Sequence, residues 1–361
     1  MPLVPSYIKK LQNYKPGKPI SEATRETGIP NIIKLASNEN PLGPSPKAMK
    51  ALKDSLENMH RYPDASGYDL RSKLAERFKV KIDNVVLGAG SEGIMSTIMR
   101  TFLLNDDELI SAENSFIGFR VLANASGRRI HWVPMRKYRY DLEQMATKIT
   151  DYTKIIYIAN PDNPMGTYIT KKEFDEFYKY IPERVLIILD EAYFEFANEI
   201  QDYPDSMTYR YDNVITLRSF SKAYGLGGIR IGYGLAHGEL ISNLLKVKVP
   251  FEPSLPAQIA GLAALDDAEF LSETLKVNKK GIRFLKKELD ILGIENIPSA
   301  ANFITTVWKT EQQAYRLSND LLAKGIIVRH LASFGWPNCV RISIGTEKEN
   351  NRIINALQKI I

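Results

Sequence analysis

The residue best suited to covalent chemistry is Lys222, which lies in the stretch RSFSKAYGLGGIRIGYG at residues 218–234. A strand pattern ends in Ser219 and Ser221 just before this lysine, and Arg230 follows eight residues after it. A lysine amine can form a Schiff base with an aldehyde, while hydroxyls, backbone N–H groups and an arginine can bind a phosphate dianion. Taken alone, the stretch is more typical of a surface lysine in a serine-rich turn.

Two other apolar runs end in polar side chains that suit the same chemistry. The run VLIILD ends at Asp190, and Tyr193 follows three residues later. The run KIIYIANPD leads into the turn formed by Asn163, Pro164, Met165 and Gly166. A buried carboxylate is costly without a partner, and a protonated pyridine nitrogen is such a partner. The order asparagine, aspartate, lysine along the chain therefore favours one site that binds a cationic ring.

A glycine-rich turn supplies a further phosphate candidate and an alternative function. Residues 85–95 read VVLGAGSEGIM, which fits the G-x-G-x-x-G pattern of a dinucleotide-binding turn, with Glu113 about where a ribose-binding acid belongs. This pattern predicts an NAD(P)-dependent oxidoreductase, but it leaves the lysine, the aspartate and the asparagine unexplained. Glycines also let backbone N–H groups approach a phosphate of any other ligand at a helix N-terminus.

Alternating strand and helix patterns must position these residues. From about residue 47, amphipathic helical segments alternate with apolar strands such as KIIYIA and VLIILD, and this alternation predicts an α/β fold with a mainly parallel, doubly wound sheet. A long helical region at 257–292 and later short strands indicate a smaller α+β unit. We expect an extended, proline-rich segment at residues 1–45, a large domain at 46–252 and a small C-terminal domain at 253–361.

Taken together, these stretches resemble the fold-type-I aminotransferases that use pyridoxal 5′-phosphate (PLP), over nearly the whole chain. Among them the resemblance is strongest to the histidinol-phosphate aminotransferases. Besides the stretches above, it is carried by LASNENPLGPSP, HRYPDASGYDLRSKLAERF, DEAYFEF and CVRISIGT.

The resemblance implies a role in binding PLP for each candidate in the large domain. Lys222 would carry the cofactor and move a proton between substrate and cofactor, Asp190 would keep the pyridine nitrogen protonated, and Tyr193 and Asn163 would bind the ring oxygen O3′. Phe116 would stack on the ring. The phosphate would be bound by Gly90, Ser91, Ser219, Ser221 and Arg230. Tyr62, in HRYP, would reach the phosphate in a neighbouring subunit, which implies a homodimer with shared active sites.

The resemblance also implies substrates and the residues that bind them. Glutamate and 2-oxoglutarate would exchange an amino group with histidinol phosphate in histidine biosynthesis. Arg341 would bind the α-carboxylate, and Arg329 and Tyr14 are candidates for the substrate phosphate. The related aromatic amino-acid aminotransferases and threonine-phosphate decarboxylase remain alternatives. Two residues depart from the family pattern, since Met165 replaces a threonine and Phe116 replaces a tyrosine that many histidinol-phosphate enzymes have. We expect the first departure to leave the chemistry intact.

Composition excludes several other functions. The net charge of +6 and the pI of about 9.0 come from basic residues spread along the chain among 42 acids, with no nucleic-acid-binding motif. No apolar run approaches the ~20 residues of a membrane span, and the start of the sequence lacks the apolar core of a signal peptide. Cys339 is the only cysteine and the four histidines are isolated, which argues against a metal site. We therefore expect a cytoplasmic protein that binds neither nucleic acid nor membranes.

Overall fold

The computed structural model describes residues 3–13, 16–209 and 211–361. Its first part contains α1 (Ser6–Lys10), α2 (Ile20–Thr27) and β1 (Ile33–Lys34). The next part comprises α3 (Pro46–Ser55), α4 (Tyr68–Phe78), β2 (Val85–Gly88), α5 (Gly90–Phe102), β3 (Glu108–Ala112), α6 (Ile117–Ala125), β4 (Arg129–Val133), α7 (Leu142–Ala146), β5 (Thr153–Ala159), α8 (Lys171–Tyr178), β6 (Leu186–Asp190), α9 (Phe194–Ala197), β7 (Val214–Ser219), β8 (Gly232–Leu235) and α10 (Gly238–Val247). The last part comprises α11 (Leu255–Leu265), α12 (Ala268–Ile291), β9 (Asn296–Ile297), β10 (Phe303–Val307), α13 (Glu311–Leu322), β11 (Ile326–Ile327), β12 (Arg329–His330), β13 (Cys339–Ser343) and α14 (Glu347–Leu357).

A seven-stranded sheet forms the centre of the molecule, in the order β2-β8-β7-β6-β5-β3-β4. Strands β4, β3, β5, β6 and β7 are parallel to one another, whereas β8 runs antiparallel to both of its neighbours. The strands β2, β3, β6, β7 and β8 are buried along their whole length, and β5 everywhere except at Lys154, because apolar side chains cover both faces of the sheet. The predicted α/β fold with a mainly parallel sheet is confirmed.

The direction of these strands brings distant parts of the sequence together. Strand β2 runs in the same direction as β7, because each is antiparallel to β8. The carboxyl ends of β2, β3, β5, β6 and β7 therefore meet at one edge of the sheet, where ligands bind in open α/β sheets. The glycine turn and the segments that carry the predicted site residues of the large domain all follow these ends.

The C-terminal part builds a second, smaller sheet. Four antiparallel strands lie in the order β12-β13-β10-β9, and helices α12, α13 and α14 pack with this sheet around a separate apolar core. Strand β1 pairs in parallel with β11. The first segment is thereby attached to the C-terminal part, while the domain limits given above stay a prediction.

The helical region expected at 257–292 is divided into α11 and α12 by Asp266 and Asp267. Asp267 accepts a hydrogen bond from the hydroxyl of Ser45 at 2.6 Å and another from the backbone N–H of Lys47 at 3.2 Å. Its carboxylate therefore helps to satisfy the free N–H groups at the start of α3, and a new helix begins at Ala268.

None of the helices in the described ranges is both long enough and apolar enough to cross a bilayer.

Candidate active site

A cavity of about 290 Å³ lies at the carboxyl edge of the seven-stranded sheet. It is lined by Ser37, Glu39, Gly90, Ser91, Glu92, Phe116, Ala159, Pro161, Asn163, Asp190, Ala192, Tyr193, Ser219, Ser221, Lys222, Gly227 and Arg230. Every residue that the sequence predicts for cofactor binding within one subunit is in this set. The structure therefore brings together residues that follow five strand ends and residues near the start of the chain, separated by as many as 193 positions in the sequence.

The glycine turn forms one end of the cavity. Gly90, the first residue of α5, has a left-handed backbone with φ +74°. A side chain at Gly90 would begin 2.9 Å from the guanidinium of Arg230, and one at Gly232 would begin 2.7 Å from the backbone of both Gly90 and Ser91. Backbone N–H groups at a helix N-terminus and the nearby Arg230 guanidinium form a site for an anion. Glu92 pairs with this arginine at 3.2 Å.

Asp190 lies buried in the floor of the cavity, at the end of β6. Its carboxylate accepts hydrogen bonds from the Tyr157 hydroxyl at 2.8 Å and from the backbone N–H of Ala192 at 3.2 Å. Burial raises the pKa of Asp190 to about 7, although both hydrogen bonds act in the opposite direction. A cation next to this carboxylate would favour its ionised form. The site is therefore suited to a protonated ring nitrogen.

Lys222 extends toward the same space from the turn after β7. Its ammonium group donates to the backbone oxygen of Ser37 at 3.2 Å and lies 5.8 Å from the ring centre of Tyr193. Burial, followed by the positive charge of Arg341, lowers the pKa of Lys222 to about 8. The amine is therefore much closer to its neutral, nucleophilic form at neutral pH than an exposed lysine is.

Tyr193 and Asn163 are held by groups from other parts of the chain. The buried hydroxyl of Tyr193 accepts a hydrogen bond from the side-chain amide of Asn38 at 2.9 Å, and burial raises the pKa of Tyr193 to about 12. Arg341 donates one hydrogen bond to the side-chain oxygen of Asn163 and a second, at 2.7 Å, to the backbone oxygen of Ala36. Arg341, predicted as a substrate ligand, thus contacts Asn163 in the cavity wall.

The two predicted substrate arginines lie side by side. Arg329 on β12 and Arg341 on β13 are directly opposite each other in the antiparallel ladder. Both guanidinium groups lie beside the ring of Phe334, at 5.7 and 5.8 Å from its centre. Arg329 also donates to the Ser333 hydroxyl at 3.3 Å, and it does not line the cavity itself. Tyr14, the third predicted substrate residue, lies outside the described residues.

Tyr62 is the one predicted cofactor residue that does not line the cavity of its own chain. It is 79% exposed, and its ring stacks on that of Phe251 at 4.4 Å. The next residue, Glu252, accepts the backbone N–H of Ala89 at 2.8 Å, so this exposed aromatic pair adjoins the glycine turn.

The two departures from the family pattern have different surroundings. Met165 is fully buried in the apolar core below the sheet edge and does not line the cavity. Phe116 lines the cavity from the N-terminal end of α6. Replacement of threonine by Met165 therefore affects packing rather than the cavity surface.

Sequence reasoning assigned no role to several residues of the site. Residues 35–39, which we call the strap, run between the two sheets, and Ser37 and Glu39 line the cavity. The strap lies in LASNENPLGPSP, which was part of the resemblance, but no periodicity marks its contacts. Tyr157 below Asp190 was also missed, although a hydroxyl-bearing residue in the apolar run IIYIA is a signal for a buried polar contact.

The strand pairing does not support a dinucleotide site. In a nucleotide-binding βαβ unit, the strand before the glycine turn lies beside the parallel strand that follows the helix. Here β2 is an edge strand whose neighbour is the antiparallel β8, while β3 lies far across the sheet between β5 and β4. Glu113 is exposed at the end of β3 and has no part in the cavity.

The residues present fit PLP on structural grounds. Gly90 leaves room for the guanidinium of Arg230 beside the glycine turn, and Gly232 lets β8 pack against the backbone of that turn. A buried carboxylate with a raised pKa faces the cavity from Asp190, and an amine with a lowered pKa faces it from Lys222. A phosphate, a basic ring nitrogen and an aldehyde would each meet a group of the required chemistry.

Comparison with known proteins agrees with this arrangement. Residues 30–357 match the family described as aminotransferase class I and II. The chain is 40% identical over 361 residues to histidinol-phosphate aminotransferase 2 of Carboxydothermus hydrogenoformans, covering 99% of both chains. It is 40% identical to histidinol-phosphate aminotransferase of Moorella thermoacetica over 358 residues, covering 98% of this chain and 92% of the relative.

Solved structures lead to the same family. The crystal structure of histidinol-phosphate aminotransferase from Sinorhizobium meliloti, in complex with pyridoxal-5′-phosphate, superimposes with a TM-score of 0.91 at 27% identity, covering 100% of this chain and 98% of that chain. A Thermus thermophilus aspartate aminotransferase variant shares the fold, with a TM-score of 0.84 at 21% identity and full coverage of both chains. The chain belongs to the class I and II aminotransferase family and is a PLP-dependent transaminase.

Proposed function

We propose that the chain transfers an amino group between histidinol phosphate and 2-oxoglutarate, in histidine biosynthesis. The observation that carries this proposal is the cross-strand pair of Arg341 and Arg329 next to the PLP site, because two adjacent cations suit the phosphate dianion of one substrate and the two carboxylates of the other. The similarity to relatives named histidinol-phosphate aminotransferase over nearly the full chain supports the same substrate.

The phosphate of PLP would bind at the glycine turn. The backbone N–H groups of Gly90 and Ser91 are at the N-terminus of α5, and Ser219, Ser221 and Arg230 line the same part of the cavity. The partial positive charge of the helix end and the guanidinium both favour a dianion there. Glu92 must then share Arg230 with the phosphate or release it.

The opposite end of the cavity would bind the ring. When bound, PLP supplies an aldehyde and a ring that withdraws electrons from the substrate carbon. Asp190 would hold a proton on the ring nitrogen, because the buried carboxylate gains more from a cationic partner than from water. Phe116 would cover one face of the ring, and Tyr193 and Asn163 would donate hydrogen bonds to O3′.

Asn163 is oriented for this role by Arg341. Its side-chain oxygen accepts from the arginine, so its NH₂ group is the part that remains to donate to a ligand. Lys222 would supply the amine that takes a proton from the substrate Cα and delivers it to carbon C4′ of the cofactor. Its lowered pKa leaves the amine able to accept a proton at neutral pH.

Recognition of two different substrates follows from the two arginines. Glutamate has an α-carboxylate, which would pair with Arg341, and a distal carboxylate, which Arg329 would attract. Histidinol phosphate has no α-carboxylate, so only its phosphate would use the arginine pair. Aromatic amino-acid aminotransferase activity is the alternative, and an aromatic amino acid has no second anionic group that would bind Arg329.

We also propose a cytoplasmic homodimer in which Tyr62 of one subunit approaches the phosphate bound by the other. Support comes from the exposed Tyr62–Phe251 pair beside the glycine turn, since exposed aromatic residues near a ligand site are typical of interfaces. With the proposed division into the 46–252 and 253–361 domains, the residues that line the cavity would all belong to the large domain or to the strap.

Absorption spectroscopy tests the proposal. Purified protein incubated with PLP should show a visible absorption band that is lost in Lys222→Ala. Single-turnover mixing with histidinol phosphate, glutamate and phenylalanine, each followed at this band, then ranks the substrates. Fast change with the first two and slow change with phenylalanine is expected. A preference for phenylalanine over histidinol phosphate would contradict the assigned substrate, and a protein that acquires no band with PLP would contradict the whole proposal.

A further inference from the structure

The strap contacts three groups of the site through three consecutive residues. The backbone oxygen of Ala36 accepts from Arg341, the backbone oxygen of Ser37 accepts from Lys222, and the side chain of Asn38 contacts Tyr193. The first two contacts use the backbone and do not require a particular side chain. The third depends on the side chain at position 38.

Hydrogen bonds hold both the backbone and the side chain of Asn38 in place. It is 1% exposed and has a left-handed backbone with φ +55°, a conformation that asparagine tolerates better than most residues. Its backbone N–H donates to the hydroxyl oxygen of Ser343 at 2.8 Å, and its backbone oxygen accepts from the amide of Asn302 at 3.1 Å. Its side chain lies between Ser343 and Tyr193, at 3.0 and 2.9 Å.

The chemistry of these groups determines which atom donates in each contact. A backbone N–H can only donate, so the hydroxyl oxygen of Ser343 accepts from Asn38 and is free to donate its own hydrogen to the Asn38 side-chain oxygen. The NH₂ group of Asn38 therefore faces Tyr193 and donates to its hydroxyl oxygen. Because the Tyr193 oxygen accepts from Asn38, the hydrogen of the Tyr193 hydroxyl cannot be donated to Asn38. It is therefore available to donate to another acceptor.

We propose that Asn38, oriented by Ser343, is a positioning residue that keeps the hydroxyl hydrogen of Tyr193 available to donate into the cavity, toward O3′ of PLP. The inference rests on the proposed role of Tyr193. It adds that the direction of this hydrogen bond is set by two residues that do not touch the cofactor, one on the strap and one on β13.

Asn38→Asp tests the direction while keeping the size of the side chain. A carboxylate can only accept from Tyr193, so the hydroxyl hydrogen would turn away from the cavity. Without the hydrogen bond from Tyr193, O3′ of PLP would hold the proton that it shares more tightly. The loss of one such hydrogen bond raises the pKa of that proton by about one unit. The pH midpoint of the visible band of the bound cofactor should rise by about one unit in Asn38→Asp, as in Tyr193→Phe.

The double variant separates this effect from the added negative charge. In the Tyr193→Phe background, Asn38→Asp should cause no further shift of the midpoint. Asn40→Asp is the matched control, because it adds the same charge on the neighbouring stretch, where Asn40 bonds Ala223 and Thr274 rather than Tyr193. It should shift the midpoint far less. Thermal unfolding of each variant identifies any loss of folding.

Three results would overturn the inference while leaving the proposed role of Tyr193 in place. They are a wild-type midpoint in Asn38→Asp, a shift that persists undiminished in the double variant, and a control shift of equal size. Should Asn38→Asp fail to bind PLP, Ser343→Ala takes its place, with a smaller rise that must also vanish in the Tyr193→Phe background. A wild-type midpoint in Tyr193→Phe alone would remove the proposed role of Tyr193 and this inference with it, while a Lys222-dependent band would leave the proposed transamination standing.

Discussion

A single methyl group at Gly232 on β8 would displace the glycine turn, which we propose to bind the phosphate of PLP. A Cβ at this position would lie 2.7 Å from the backbone carbon of Gly90 and 2.7 Å from the backbone nitrogen of Ser91. Ordinary contacts begin at 3.4 Å. Gly232 has no left-handed φ, so Gly232→Ala would act through this contact rather than through backbone strain of its own.

The size of the effect follows from the required displacement. The backbone atoms of the glycine turn must move by roughly half an ångström or more. A binding site keeps its function only when its groups stay within about that distance of their positions. A charge-assisted hydrogen bond to phosphate contributes about 1.5–3 kcal/mol. Weakening one of them should raise the Kd for PLP about 10- to 100-fold, since 1.4 kcal/mol corresponds to a factor of ten. Overpacking should also lower the free energy of unfolding by about 1–3 kcal/mol.

Titration of the cofactor-free protein measures this effect, with pyridoxal as the second ligand. Pyridoxal carries the same ring and aldehyde but no phosphate, so Gly232→Ala should leave its Kd nearly unchanged while that of PLP rises. Gly228→Ala is the matched control, because a Cβ there would meet no atom within 4 Å. Its affinity for both ligands should equal that of the wild type.

Equal weakening of PLP and pyridoxal by Gly232→Ala would refute the assignment of the glycine turn to the phosphate. Wild-type affinity of Gly232→Ala for PLP would refute the same assignment more directly. In both cases, the anion site at the glycine turn would have to bind a group other than the phosphate of PLP.

Three further predictions concern individual side chains. Arg341→Ala should slow the glutamate half-reaction roughly 100-fold more than the histidinol-phosphate half-reaction in single-turnover experiments, because only glutamate offers an α-carboxylate; equal slowing would contradict dual recognition. In the cofactor-free protein, acylation of Lys222 followed by mass spectrometry should rise with pH around a midpoint near 8, since burial and Arg341 favour the neutral amine; no increase until well above pH 9 would show that the amine is an ordinary one. Met165→Thr should lower the free energy of unfolding by about 1–3 kcal/mol but leave the Kd for PLP within about twofold, because the side chain is in the core; a tenfold weaker Kd would disagree with that location.

The sequence predicted the residues at the strand ends because one simple rule connects them. Apolar runs that form parallel strands have their carboxyl ends at one sheet edge, so Asn163, Asp190 and Lys222 had to lie near one another. The glycine turn joined them for the same reason. The pattern of each run, together with the resemblance, was enough to identify this half of the site.

The other half depends on contacts that no local pattern encodes. Arg341 bonds Ala36 across 305 positions of sequence, and Asn38 bonds Tyr193 across 155. Such pairs form only when the strap lies against both sheets, and the proline-rich start of the chain has no periodicity that would place it there. The pairing of Arg329 with Arg341 likewise follows from the register of β12 and β13 rather than from either motif.

Arg341 also connects substrate binding with the acid–base state of the Lys222 amine. Arg341 is the largest charge effect that lowers the pKa of Lys222, after burial itself. A substrate carboxylate paired with Arg341 would offset that positive charge, and the pKa of the amine would rise. Lys222 would then be a stronger proton acceptor when an α-carboxylate is bound than when the cavity holds a substrate without one. Glutamate and histidinol phosphate would therefore meet the same lysine at different basicities.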